Sequence, residues 1–241
     1  MPGLDFAGRV VLVTGVGRAG QIGHAVAGAF GRAGAKLVVC DRNAVGVSER
    51  AREFVALGMD ARPVAGDLTE PDAAALAVES ALKHFGRLDV LVNVAGGLAA
   101  SGPIERADVA AFDREISSNV KTAFLMCRAA VPALAATRGA IVNFASIAYY
   151  RPQRHLAIYG AAKAAVAGLT QSLAVELEDR GIRVNAVAPA AVRTADNLAA
   201  MGEAAERWVA IERITDAVLF LASDAAGGIT GHVLPIAGGG A

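Results

Sequence analysis

Tyr159 and Lys163 stand four residues apart inside Ala157–Arg180, a stretch that reads as one long helix. Residues four apart share a helix face, so the two side chains point the same way. A lysine cation stabilises a phenolate and is expected to lower the pKa of the tyrosine beside it. A phenol tuned in this way exchanges a proton with an alcohol or ketone near neutral pH. Ser146 lies thirteen residues ahead of Tyr159, just after a predicted strand, and can donate to the same substrate oxygen. The chain has only three tyrosines, so this arrangement is not diluted by chance pairs.

A second constellation begins at Thr14. Thr14-Gly15-Val16-Gly17-Arg18-Ala19-Gly20-Gln21-Ile22-Gly23 separates a β-branched run from a helical stretch. Glycines let a backbone turn sharply and approach a pyrophosphate, and the helix N-terminus beyond offers free N–H groups and a positive dipole end. Asp41 follows about twenty residues later, where a carboxylate binds the adenosine ribose hydroxyls. It would repel the 2′-phosphate of NADP, so NAD is expected over NADP. Arg42 and Arg18 are the cations that would argue the other way. Gly66-Asp67-Leu68-Thr69 and Asn93-Val94-Ala95-Gly96-Gly97 each follow a strand, and their small residues would let a flat ligand lie against the sheet edge.

These residues need a frame that gathers strand ends. Strands are expected at Arg9–Thr14, Lys36–Cys40, Ala61–Ala65, Leu88–Asn93, Ala140–Phe144, Ile182–Val187 and His232–Ile236. Helical stretches are expected at Ile22–Arg32, Ala44–Leu57, Pro71–Phe85 (capped by Thr69), Ala107–Ala136 as one or two helices, Ala157–Arg180 and Asp216–Ser223. Such alternation means βαβ units on a parallel sheet. The expected fold is a single-domain α/β Rossmann fold over residues 1–241, a doubly wound sheet of about seven strands. Ligands of such sheets sit beyond the carboxyl ends of the strands, at the switch point.

Composition sets the outer limits. Lys plus Arg is 23 and Asp plus Glu is 23, so no electrostatic footprint for nucleic acid is present. No basic run suits a membrane surface. Cys40 and Cys127 lie in apolar segments and are expected to be small buried hydrophobes. None of the four histidines has a His or Cys at ligand spacing, so no metal is expected. The expectation is a soluble cytoplasmic protein.

Taken together, these residues resemble the short-chain dehydrogenase/reductase family across essentially the whole chain. The resemblance rests on Thr14-Gly15 with the glycines to Gly23, Asp67, Asn93 to Gly96, Asn119, Ser146, Tyr159-x-x-x-Lys163, Pro189 and Thr194. Leu221-Ala-Ser-Asp224, Ile229-Thr-Gly231 and Gly238-Gly239 add to it. It implies hydride transfer between a nicotinamide and a carbinol carbon, with Tyr159 as acid/base. It also implies that Lys163 binds the nicotinamide ribose, Ser146 orients the substrate oxygen and Asn119 holds a water of the proton relay. The implied cofactor contacts are Gly15, Gly17, Arg18, Gln21, Ile22, Asp41, Arg42, Asp67, Leu68, Asn93, Ala95, Gly96, Tyr159, Lys163, Pro189, Val192 and Thr194. Substrate contacts are expected at Gly97, Leu98, Tyr149, Tyr150, His155 and Trp208, under a short lid at about 190–215. A homo-oligomer, tetramer or dimer, is expected as for relatives. The alternatives are an NADPH-dependent 3-oxoacyl-(acyl-carrier-protein) reductase and a non-catalytic dinucleotide sensor. Two features depart from the common pattern. The glycine loop is two residues longer, a spacing that resembles the divergent enoyl-acyl-carrier reductases, whose tyrosine and lysine are spaced wider than here. The usual Pro-Gly is Pro189-Ala190.

Overall fold

The computed structural model describes residues 4–202 and 208–238. Seven strands form one parallel sheet: β1 (Val10–Thr14), β2 (Lys36–Asp41), β3 (Ala61–Ala65), β4 (Val90–Asn93), β5 (Ala140–Phe144), β6 (Arg183–Pro189) and β7 (Val233–Ile236). Their spatial order is β3-β2-β1-β4-β5-β6-β7. The chain starts in the middle, winds outward one way, then returns to wind the other way. The switch point lies between β1 and β4, where a crevice must open above the strand ends.

Alternate residues of β1 serve opposite cores, which explains its unbroken apolar run. Val11 and Val13 pack with Val26 and Phe30 of α1 (Ile22–Arg32), Phe54 of α2 (Ala44–Ala56) and Ile214 and Val218 of α8 (Ile211–Ala222). Val10 and Leu12 pack with Ala77 of α3 (Pro71–Phe85), Met126 and Leu134 of α5 (Thr122–Thr137) and Ala174 of α6 (Ala157–Glu176). Phe6, Phe30 and Phe54 are among the largest fully buried side chains. Each contributes about 1.5–3 kcal/mol by leaving water. Both cysteines are free and buried, and burial pushes both thiols up to about 12, so they act as core hydrophobes.

Several element ends differ from expectation. The stretch Ala107–Ala136 is α4 (Val109–Ile116), a π turn (Ser117–Lys121) and α5. π turns inside helices are uncommon and gather at functional sites; this one holds Asn119. Glu70, not Thr69, is the N-cap of α3, because the Thr69 hydroxyl donates to Asp67 Oδ1 at 2.8 Å instead. The long helix α6 stops at Glu176, and a 3-10 turn covers Glu178–Arg180. Helix α8 starts at Ile211, five residues earlier than the apolar pattern suggests. A short helix, α7 (Ala195–Met201), stands where no element was expected. The run Val109–Thr137 is apolar and long enough to cross a membrane by length and composition, yet here it packs against α3, α6 and the sheet.

Candidate active site

The glycine loop seats the start of α1 directly on the end of β1. Gly15 has φ +73°, a region that side-chain-bearing residues avoid. Its amide donates to the Cys40 carbonyl at 2.8 Å. Gly23 faces it so closely that a Cβ there would lie 2.1 Å from the Gly15 carbonyl oxygen. Helix α1 begins at Ile22, and its N-cap, Gln21, makes no side-chain capping bond. The first-turn amides of α1 are therefore free of a side-chain cap and suit a pyrophosphate. The Thr14 hydroxyl accepts from the Ala95 amide at 2.9 Å and so ties this loop to the one after β4.

The extra length of the loop has a local brace that the sequence did not announce. His24 Nδ1 accepts from the Gly20 amide at 3.1 Å, and its Nε2 lies 3.1 Å from Glu53 of α2. The imidazole also stacks on Phe54, with ring centroids 5.3 Å apart. Arg18, at the tip of the loop, pairs with Asp196 of α7. The loop is thereby linked to the segment after β6 instead of hanging free.

Asp41, at the end of β2, is held by two backbone donors. Its Oδ2 accepts from the Gly17 amide at 2.8 Å and its Oδ1 from the Asn43 amide at 2.9 Å. A Cβ on Gly17 would lie 2.7 Å from the Asp41 carboxyl carbon, so a larger residue there would push the carboxylate out of this position. Asp67 accepts from the Thr69 amide and hydroxyl, which holds its carboxyl below the usual range, and Arg42 adds to the effect. Leu68 is buried, its side chain part of the core that includes Val64 and Ala74. Asn93, expected in the segment beside the cofactor, turns its side chain into the protein. Its Nδ2 donates to Asn143 Oδ1 at 2.8 Å, and Asn143 Nδ2 donates to Thr170 at 3.0 Å. The Asn93 amide thus points down into a buried polar chain that joins β4, β5 and α6.

Ser146, Tyr159 and Lys163 converge beyond β5, as the spacing predicts. Ser146 caps a 3-10 turn (Ile147–Tyr149), its Oγ accepting from the Ala148 amide at 3.2 Å. Lys163 is buried, its Nζ donates to the Phe144 carbonyl at 2.9 Å, and it sits 5.8 Å from the centroid of the Tyr159 ring. Burial lowers the Lys163 pKa to about 8, against a smaller opposing pull from Glu115. The expected fall in the Tyr159 pKa does not occur. Burial raises it, a hydrogen bond with Ser146 pulls it down, and Glu115 raises it further. Desolvation outweighs the Ser146 hydrogen bond, because the phenolate is the form that loses on leaving water. Tyr159 is therefore a protonated phenol at neutral pH.

Asn119, expected to hold a water, uses its side chain on protein. Its Oδ1 accepts from the Gly97 amide at 3.0 Å, and its Nδ2 donates to the Gly97 carbonyl at 2.9 Å and to Glu115 Oε1 at 3.0 Å. Glu115 escaped the sequence reading; it is fully buried next to the site.

A family model described as "Enoyl-(Acyl carrier protein) reductase" matches residues 15–240. The chain belongs to the short-chain dehydrogenase/reductase family. It is 39% identical over 247 residues to a cis-4-hydroxycyclohexanecarboxylate dehydrogenase of Sinomonas cyclohexanicum, covering 98% of each chain. It is 37% identical to a cyclohexanol dehydrogenase of Acinetobacter sp. (strain SE19), covering 94% of this chain and 92% of that one. A 7α-hydroxysteroid dehydrogenase solved with NADH and 7-oxo glycochenodeoxycholic acid superposes with a TM-score of 0.91 at 29% identity, covering 98% and 96%. The protein is accordingly a nicotinamide-dependent oxidoreductase of alcohol and carbonyl groups.

The dehydrogenase fold also rearranges the expected substrate and lid residues. Tyr150 donates its hydroxyl to the Val233 carbonyl of β7. Tyr149 packs against Ala145, Ala167, Ala186 and Ala188, and lines a groove with Gly160, Ala161 and Ala164. Ala161 and Ala164 of that groove are close chain neighbours of Lys163 on α6. His155 is exposed with φ +66°, and its carbonyl accepts from the Gly102 amide at 2.9 Å, which closes the crevice rim. Gly97 and Leu98 remain at that rim. Thr194 caps α7, accepting from the Asn197 amide at 3.3 Å, so its hydroxyl is engaged. Val192 is buried and bridges Val209. Trp208 packs its backbone against Gly238, with Nε1 buried and unpartnered among the described residues. Of the expected lid at about 190–215, positions 203–207 lie outside the described residues.

Proposed function

We propose that this protein is an NAD-linked dehydrogenase of an alicyclic secondary alcohol, with Tyr159 as acid/base, Ser146 as the donor to the substrate oxygen and Lys163 at the nicotinamide ribose. The observation that carries the cofactor choice is the Asp41 carboxylate, fixed at the crevice edge by the amides of Gly17 and Asn43. It keeps lone pairs free for two ribose hydroxyls and opposes a 2′-phosphate. The two arginines near enough in sequence to attract that phosphate have acidic neighbours of their own: Arg18 pairs with Asp196, and Arg42 acts on Asp67.

The residues present fit a dinucleotide. Gly15, Gly17, Gln21 and Ile22 frame the pyrophosphate cradle, Asp41 the ribose, Asp67 and the Leu68 backbone the adenine, and Ala95, Gly96 and Pro189 the nicotinamide side. When bound, the nicotinamide supplies the hydride acceptor or donor. The protein holds the carbinol oxygen between Ser146 and Tyr159 and moves its proton. An alicyclic substrate accords with the relatives named for cyclohexane alcohols and with a rim of glycine and leucine at Gly97 and Leu98.

Titration of NADH and NADPH by nicotinamide fluorescence tests the reading. The expected result is tighter NADH binding by about tenfold or more, equivalent to about 1.4 kcal/mol, with NAD+ reduced in the presence of cyclohexanol derivatives. Tighter NADPH binding would favour the 3-oxoacyl reductase reading instead. Binding of NADH with no turnover of any alcohol or ketone would favour the sensor.

The reading includes a homo-oligomer. Val109, Phe112, Phe124 and Val175 are exposed on α4, α5 and α6, an apolar surface that costs free energy in water. Light scattering should give a mass of two or four chains; a monomer would overturn this part.

A further inference from the structure

Glu115 lies in the last turn of α4, just ahead of the π turn, and shows no exposed surface. A buried carboxylate is costly unless its oxygens are fully met. Here Oε2 accepts from the amides of Ala99 at 2.8 Å and Ala100 at 3.2 Å, and Oε1 accepts from Asn119 Nδ2 at 3.0 Å. Asn119 in turn holds both backbone groups of Gly97. The carboxylate therefore fixes the loop Gly97–Ala100 that follows β4. All its partners are donors, which suits the ionised form. Its charge acts on Tyr159 and on Lys163, both reaching it from α6.

Among the described residues, no other ionisable group is both buried and turned toward Glu115. The loop after β4 offers it only backbone amides. Asp113 and Arg114 on its own helix are exposed, as are Lys121 at the end of the π turn and Arg151, Arg154 and His155 at the rim.

We propose that Glu115 is a positioning residue of this active site: its carboxylate clamps the substrate-side loop to Asn119 and serves as the internal counter-charge to Lys163. The catalytic consequence rests on the Tyr159–Lys163 reading above. The charge offsets part of the burial that pulls Lys163 toward its neutral form, and it adds to the burial that favours the phenol of Tyr159.

The test separates charge from packing. Loss of an anion lowers the midpoints of both Tyr159 and Lys163. Mere loosening, by admitting water, lowers Tyr159 but raises Lys163. In Glu115→Gln, Tyr159 is followed by phenolate absorbance, as the difference from the same chain carrying Tyr159→Phe. Lys163 is followed by NMR of isotope-labelled lysine. Both midpoints should fall, each by about one pH unit. A Lys163 midpoint that rises or stays put overturns the proposal. Should E115Q not fold, E115D keeps the charge and loses reach. There the midpoints should stay at wild-type values while KM for the alcohol rises, and a fall in Lys163 would overturn the proposal. Both titrations need no turnover, so they stand even if the wild-type protein oxidises no alcohol and the dehydrogenase reading itself fails.

Discussion

Tyr159→Phe should cut kcat for alcohol oxidation by about a thousandfold, within the range expected for loss of a positioned acid/base. The substitution deletes one hydroxyl and keeps the ring that lies 5.8 Å from Lys163 Nζ. The fold and NADH affinity should therefore stay near wild type, and the loss should appear in kcat and kcat/KM alike. The pH dependence gives a sharper signature. Burial raises the Tyr159 pKa because the anion is the form that suffers in a dry site. Alcohol oxidation needs the phenolate to take the carbinol proton, so kcat/KM for oxidation should climb as pH rises toward that pKa. Ketone reduction needs the phenol and should be supported at neutral pH. In Tyr159→Phe the climb should vanish. A variant that keeps wild-type kcat, or keeps the same pH limb, would remove Tyr159 from the reaction.

The positions of Tyr159, Lys163 and Ser146 were legible in the sequence because each rests on local geometry. Helix periodicity aligned the first two, and the apolar run Ala140–Phe144 placed the serine at a strand end. The sign of the Tyr159 shift was not legible, since it depends on how much protein covers the ring. Glu115 was invisible for the same reason. In sequence it is one acid in a helix, and only the fold brings the Ala99 and Ala100 amides to it. Asn93 and Tyr150 show the converse. Their places at strand and turn ends were legible, but their side-chain partners, Asn143 for one and the Val233 carbonyl for the other, were not. The short helix α7 escaped because its seven residues are too few to show a period, and its cap Thr194 was already spoken for as a cofactor contact. Strand centres were recovered almost everywhere, since β-branched runs buried on both faces have few other fates.

Gly23→Ala should abolish dinucleotide binding at ordinary concentrations, weakening NADH by about a hundredfold or more, equivalent to about 2.8 kcal/mol. The added Cβ would lie 2.1 Å from the Gly15 carbonyl oxygen and 2.7 Å from its carbon. Both are backbone atoms, and Gly15 is itself pinned to Cys40 and pressed against Ala95. Neither side can yield by rotating a side chain, so the start of α1 must move off the end of β1. That movement withdraws the helix amides from the pyrophosphate cradle and should also lower stability by about 1–3 kcal/mol through overpacking. Gly20→Ala is the matched comparison in the same loop. Gly20 has φ +69° but no atom within 4 Å of a new Cβ, so the cost is backbone strain of about 1–2 kcal/mol with the cradle left in place. Fluorescence titration of both variants with NADH, alongside thermal denaturation, distinguishes the two effects. If Gly23→Ala bound NADH as wild type does, the lengthened loop would not hold the phosphates through α1, and the role of Gln21 and Ile22 in the cradle would fall with it. If Gly20→Ala lost binding equally, the His24 brace on the Gly20 amide, and not the close seating of Gly23 on Gly15, would be what shapes the site.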